Sequence, residues 1–464
     1  MRPLLRTCAC AIAVFASMHT VAADEPAPHP VELRPAAEYR AELEALLADG
    51  QPAEGANAWD EMFAAIRAMR IVQDWDSQFI EAHPDAPSLS IPSFAADEIR
   101  FGAFDAGAWK VGGEYLDRMD REGVWAALDR AGEAPRRVPP FLWENDEGAA
   151  GMSAVQLEVN RIMPLLSKTP SAMRIAHHGK QDDHVVAMVR RGCVVAEVTG
   201  SCRDSVTWMK APLACVLVCR EICQENMEEP YGANLLARVD AELSRIDPFP
   251  SARRWIEAVP VVERFHAATD PEGYRAATGD PAQVIPLVDA VAAHAIAQLD
   301  KPLAERERPG AGYMDRVFAT MMATRDMGDD LNVRIALIPL GERIAGSIEQ
   351  VMDSGIYAQT MVAGTRAVIA VERYRIAHGQ YPETLAAVVP AFLPAVPVDP
   401  MTGNPLLYTR IENDPHLREY LVYSTGIDGI DNGGRAPEGD SYPNPVGIAK
   451  GFDFIVNQPR RALD

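Results

Sequence analysis

Residues 233–246, ANLLARVDAELSRI, decide the fold class. Leu235, Leu236, Val239, Leu243 and Ile246 recur at offsets of one, four, eight and eleven, which gathers them on one face of a helix with 3.6 residues per turn. Similar faces run through 39–47, 59–72, 155–166, 285–299 and 335–351. Breakers separate them at Pro248, Pro250, Pro260, Pro271 and across 301–312. Residues 36–355 are therefore expected to form an all-α domain of antiparallel helical hairpins, stacked as in a helical-repeat protein. No repeat period is distinct enough to name.

Near Tyr381 the composition changes. Pro382, Pro390, Pro394, Pro397, Pro400 and Pro405 replace the helix formers, and short β-prone pieces follow. Residues 406–409 (LLYT), 420–424 (YLVYS) and 452–456 (FDFIV) are expected as strands of a small sheet. The fold class is thus mainly α, closed by a small α+β module over residues 356–464.

The order of segments in that module carries a resemblance. A helix end (370–382, AVERYRIAHGQYP) leads into Gly-x-Tyr-Pro, then TLAAVVPAFL, the turn VPVDPMTGNPLLY and the tail EYLVYSTGIDGIDNGG. This set resembles the periplasmic part of the major pseudopilin of type II secretion, over about 90 residues. The turn is one residue longer than the family's, since Met401 and Thr402 both lie between Pro400 and Gly403. The module also stands behind a large helical domain rather than at the N-terminus. That arrangement is similar to large bacterial exported proteins whose helical body ends in such a tail, a similarity that implies no activity.

The loop 426–440 (GIDGIDNGGRAPEGD) is the strongest local signal. Asp428, Asp431 and Asp440 supply hard carboxylate oxygens and Asn432 an amide oxygen. Gly426, Gly429, Gly433 and Gly434 let the backbone curl so that carbonyls can join them. Calcium takes six to eight such oxygens in flexible geometry. The resemblance implies calcium here, with Asp428 as the best-matched ligand and either Asp440 or Asp453 as the closing one. A solvated Asp/Gly turn is the alternative, and the spacing is not that of an EF-hand.

The ends and the charge bear on location. Residues 1–23 are expected to be a secretory signal, with Arg2 and Arg6 before the apolar run CACAIAVFASM and small residues at Val21, Ala22 and Ala23. A Pro-rich leader, 24–35, would follow, and the mature protein would be periplasmic or secreted. Basic residues number 44 against 66 acidic, a net charge of −22 across 464 residues. That balance opposes nucleic acid and anionic lipid as partners. No later apolar run approaches the ~18 residues of a membrane span.

Five cysteines remain after such processing: Cys193, Cys202, Cys215, Cys219 and Cys223. In an oxidising compartment they are disulfide candidates. Antiparallel helices over 185–198 and 205–224, turning near Cys202, would bring Cys193 towards Cys215. His177, His178 and His184 with Asp182 and Asp183 cluster in sequence, but Gly179 interrupts the helix and the spacing matches no zincin, so a solvated turn is expected. Met321, Met322, Trp143 and Trp208 read as core. No nucleophile elbow, P-loop or dinucleotide fingerprint occurs, and no catalytic residue is nominated. The expected function is an exported, non-enzymatic scaffold or binding protein with a protein partner in the cell envelope, associated with type II secretion or envelope assembly. The competing reading is a periplasmic hydrolase-like enzyme with its active site in the helical domain and the module as accessory.

Overall fold

The computed structural model describes residues 31–82, 106–143, 154–203, 205–246, 252–301, 331–414, 418–426, 428–436 and 451–459. The signal and most of the leader, Met321, Met322 and Asp440 lie outside the described residues.

The chain is mainly helical up to His378. In order come α1 (Ala36–Ala48), α2 (Ala58–Ala82), α3 (Ala106–Arg121), α4 (Val124–Glu133), α5 (Ala154–Asn160), α6 (Met163–His178) and α7 (Asp182–Gly200). Then follow α8 (Ser205–Trp208), α9 (Lys210–Glu228), α10 (Ala233–Leu243), α11 (Ala252–Thr269), α12 (Pro271–Ala277), α13 (Pro281–Leu299) and α14 (Leu331–His378). The first eleven residues of the quoted stretch form α10, with Leu235, Leu236, Val239 and Leu243 all buried; Ile246 lies past the helix end and is half-buried. Two helix starts carry the side-chain caps that their orphan amides require: Asp270 accepts from Gly273 N and Asp280 from Ala282 N. Among the described residues, no helix is long and apolar enough to cross a membrane.

Helices α6, α7 and α9 pack along one another at the centre. Gly192 on α7 is what lets α9 approach, because a Cβ there would lie 2.4 Å from Val218 Cγ2. That contact puts the midpoint of the α7/α9 register at residue 205, not at Cys202. The short helix α8, unforeseen from sequence, lengthens the connection. All five cysteines are buried and free, so the expected Cys193–Cys215 bridge is not formed. Cys193 does feel Cys215 as an electrostatic neighbour, and burial first, then that neighbour, raises its pKa.

The 48-residue helix α14, roughly 72 Å long at 1.5 Å per residue, ties the two expected domains together. It runs through the expected boundary at 355/356 without a break. On one side Thr365 meets Cys223 of α9 at 3.5 Å, and Arg366 pairs with Asp240 of α10 at 2.8 Å. On another side it carries the sheet. A Cβ at Gly364 would come within 2.4 Å of Val456, and Tyr357 packs edge-on against Phe454.

After a 3₁₀ turn, Leu385–Val388, come β1 (Leu407–Arg410), β2 (Tyr420–Ser424) and β3 (Phe454–Ile455). They form an antiparallel sheet in the order β1-β2-β3, with Leu407 opposite Tyr423 and Tyr423 opposite Ile455. All three strands fall within two residues of their expected places. Period-two alternation divides the faces. Tyr420, Val422, Phe454 and Val456 join one continuous core with α2, α4, α7, α9 and α14, while Leu421, Tyr423 and Ile455 form a small outer cluster.

Candidate functional site

The Asp/Gly-rich loop leaves β2 and returns to β3, and its carboxylates organise it. Asp453, fully buried just before β3, accepts from three backbone amides: Gly434 N at 2.7 Å, Asn432 N at 3.0 Å and Arg435 N at 3.3 Å. Its own amide donates to Arg435 O at 2.7 Å. A buried carboxylate is costly unless hydrogen-bonded, and here the loop's amides meet that demand. Gly434 makes the turn possible: its φ is +77°, and a Cβ would lie 2.6 Å from Leu421 Cδ1.

The other loop residues behave alike. Asp428 accepts from Ile430 N and from Gly451 N, each at 2.9 Å, so it clips the two ends of the loop together. Asp431 accepts from Gly433 N at 2.8 Å and from the Tyr423 hydroxyl at 3.2 Å. Burial, and secondarily the Asp431 charge, raises the Tyr423 pKa. Asn432 donates through Nδ2 to Ile430 O at 2.9 Å, which commits that carbonyl to an amide donor. Asp428, Asp431, Asn432 and Asp453 thus share one loop system, each engaged with backbone groups. Among the described residues, no set of three or more His, Cys, Asp or Glu side chains converges as a metal cage.

Two supporting carboxylates were not singled out from sequence. Asp399, inside the Pro-x-Asp-Pro turn, is buried and accepts from Met401 N (2.9 Å), Thr402 Oγ1 (3.1 Å) and Ser424 Oγ (2.8 Å). Ser424 in turn accepts from Gly426 N at 3.0 Å. The turn and the start of the loop are therefore one hydrogen-bonded unit. Glu372 on α14, also buried, accepts from Tyr420 at 2.8 Å, Tyr381 at 3.3 Å and Arg375 at 2.9 Å. Tyr381 is the tyrosine of the Gly-x-Tyr-Pro segment. The proline-rich spacing pointed to a turn; only the fold shows what its aspartate and tyrosine hold.

The histidine cluster divides. His178, His184, Asp182 and Asp183 are exposed, in keeping with a solvated turn, and Asp183 pairs with Arg238 at 2.6 Å. His177 departs from that expectation. It is buried, its Nε2 lies 2.8 Å from Glu229 O, and its ring stands edge-on to Tyr231 with centroids 4.4 Å apart. Trp143 and Trp208 are core residues as expected, at 9% and 0% exposure.

No family model matches the chain, and no curated protein or solved structure matches it either.

Proposed function

We propose that the chain is an exported, non-enzymatic binding scaffold. Its helical body would present a pseudopilin-like module to a protein partner of the cell envelope, in type II secretion or envelope assembly. The observation that carries this reading is the junction at Gly364. There a long helix, ending in Gly-x-Tyr-Pro, carries a small antiparallel sheet and an Asp/Gly loop. The motif order that carries the resemblance thereby falls on one continuous support, cored together with the helical body.

In this reading the loop binds calcium. Asp428, Asp431 and Asn432 are its candidate ligands, and Asp440 and Asp453 are the candidates to close it. The net charge of −22 favours a partner with a complementary basic surface over nucleic acid or anionic lipid.

Affinity capture of the full chain from intact envelopes, after in-cell crosslinking, tests the proposal. Recovery of secretion or envelope-assembly components, lost on truncation after His378, supports it. Recovery of unrelated cargo, or capture indifferent to the module, overturns it.

A further inference from the structure

We propose that His177 is an acid-sensitive latch: at neutral pH it holds the α6–α7 corner against the α9–α10 corner, and in mild acid it lets go. The two corners meet around Glu229 and Tyr231. Glu229, just past the end of α9, receives the histidine on its backbone carbonyl and Lys180 on its carboxylate. Tyr231 lies beside the ring. Its amide donates to Asn226 Oδ1 at 3.0 Å, and the Glu229 amide donates to Glu225 O at 2.8 Å.

The protonation state follows from the acceptor. A carbonyl oxygen can only accept, so Nε2 carries the hydrogen and the neutral ring presents a bare lone pair at Nδ1. Among the described residues, that buried Nδ1 has no hydrogen-bond partner. A neutral ring tolerates this, since its single donor is satisfied. An imidazolium does not: it would hold a second N–H with nothing to accept it, inside a region where the whole residue is 4% exposed.

The surrounding charges set the direction. Arg174, one turn earlier on α6, is engaged with Glu225 and Glu228 of α9. Lys180 stands in the corner, Asp182 at the start of α7, and Glu229 Oε2 is 4.0 Å from the ring. Burial is the largest influence and Lys180 adds to it, so the His177 pKa lies below its ordinary 6.5, with Asp182 opposing. The closed state therefore binds the proton less readily than the open one. Closure is favoured above pH ~6.5 and weakens as pH falls through and below that value. The Asp183–Arg238 pair joins α7 to α10 separately.

Hydrogen exchange of the full chain, at about pH 7.5 and about pH 5.0 with intrinsic rates corrected, reads the latch. Protection of peptides covering 226–232 should fall at least about tenfold in acid, while a peptide within α13 stays unchanged. His177→Gln can donate the same bond without titrating, and should keep its protection at both pH values. Should that variant fail to fold, the wild-type ring is followed by NMR: its titration midpoint must lie below 6.5 and coincide with the loss of protection. Equal protection at both pH values, an equal loss in His177→Gln, or a ring that titrates without local opening overturns the proposal.

Discussion

Replacing Glu372 by alanine tests how the sheet is held to α14. The carboxylate is 6% exposed and joins three donors: the hydroxyls of Tyr420 and Tyr381 and the guanidinium of Arg375. Tyr420 is the costly one, because it is only 5% exposed and its hydroxyl has no route to water. A buried donor left without an acceptor costs about 1–3 kcal/mol. Tyr381 is half-buried and can turn outward, adding about 0.5 kcal/mol, and the partly exposed Arg375 pair adds a similar amount. The expected destabilisation is therefore about 3 kcal/mol, read as a lower urea midpoint at unchanged slope. Glu372→Gln keeps one acceptor oxygen and should cost about half as much. The decisive measurement is a double-mutant cycle with Tyr420→Phe. Once Glu372 is gone, removing the hydroxyl should cost almost nothing, giving a coupling of about 1 kcal/mol or more. Additivity of the two substitutions within about 0.5 kcal/mol would refute the reasoning, because it would mean that the carboxylate and the hydroxyl do not depend on each other.

Three further outcomes are expected. Gly364→Ala should destabilise by about 1–3 kcal/mol through overpacking against Val456, and Val456→Ala should restore part of that in urea melts; a neutral Gly364→Ala would mean that the helix and sheet do not meet there. The five buried thiols should resist alkylation at neutral pH and react only in denaturant, because burial raises the pKa values of Cys193 and Cys219 and pushes that of Cys223 up to about 12; fast labelling of Cys223 in the native chain would contradict its burial. Calcium at one hundred times its dissociation constant should stabilise the full chain by about 2.7 kcal/mol in calorimetric melts, magnesium much less, and Asp428→Ala should abolish the gain; identical melting with calcium and with chelator would leave the loop a plain hydrogen-bonded turn.

The sequence was legible wherever a local period sets the structure. Leu235, Leu236, Val239 and Leu243 could be placed on one helix face because a 3.6-residue repeat needs no knowledge of the partner. YLVYS could be placed as β2 because its β-branched and aromatic residues favour a strand wherever it packs. Pairing was harder. The Cys193–Cys215 estimate failed even though the register midpoint at residue 205 brings the two closer to register, because a helix-face register alone does not set the separation and direction that a bridge between two thiols needs. His177 was read with its neighbours as a solvated turn. Nothing within the turn reveals Glu229 and Tyr231, which arrive from about fifty residues away.

The loop carries the same lesson into the calcium question. Composition alone could not rank its carboxylates, since each is an acidic residue near glycine. Burial and partner count do rank them. Asp453 is fully buried and holds three amides, so turning it towards a cation would break several bonds and leave buried amides unsatisfied. Asp428 sits nearer the surface and holds two amides, one from each end of the loop; Asp431 is exposed. If calcium enters, the inexpensive rearrangement recruits Asp428 and Asp431 and leaves Asp453 as the peg on which the turn is built. Asp453→Asn should then lower stability with or without calcium, whereas Asp428→Ala should matter mainly to the calcium-dependent increment. If instead the calcium-dependent part of the stability disappears in Asp453→Asn and survives in Asp428→Ala, Asp453 is the ligand and this ranking is wrong.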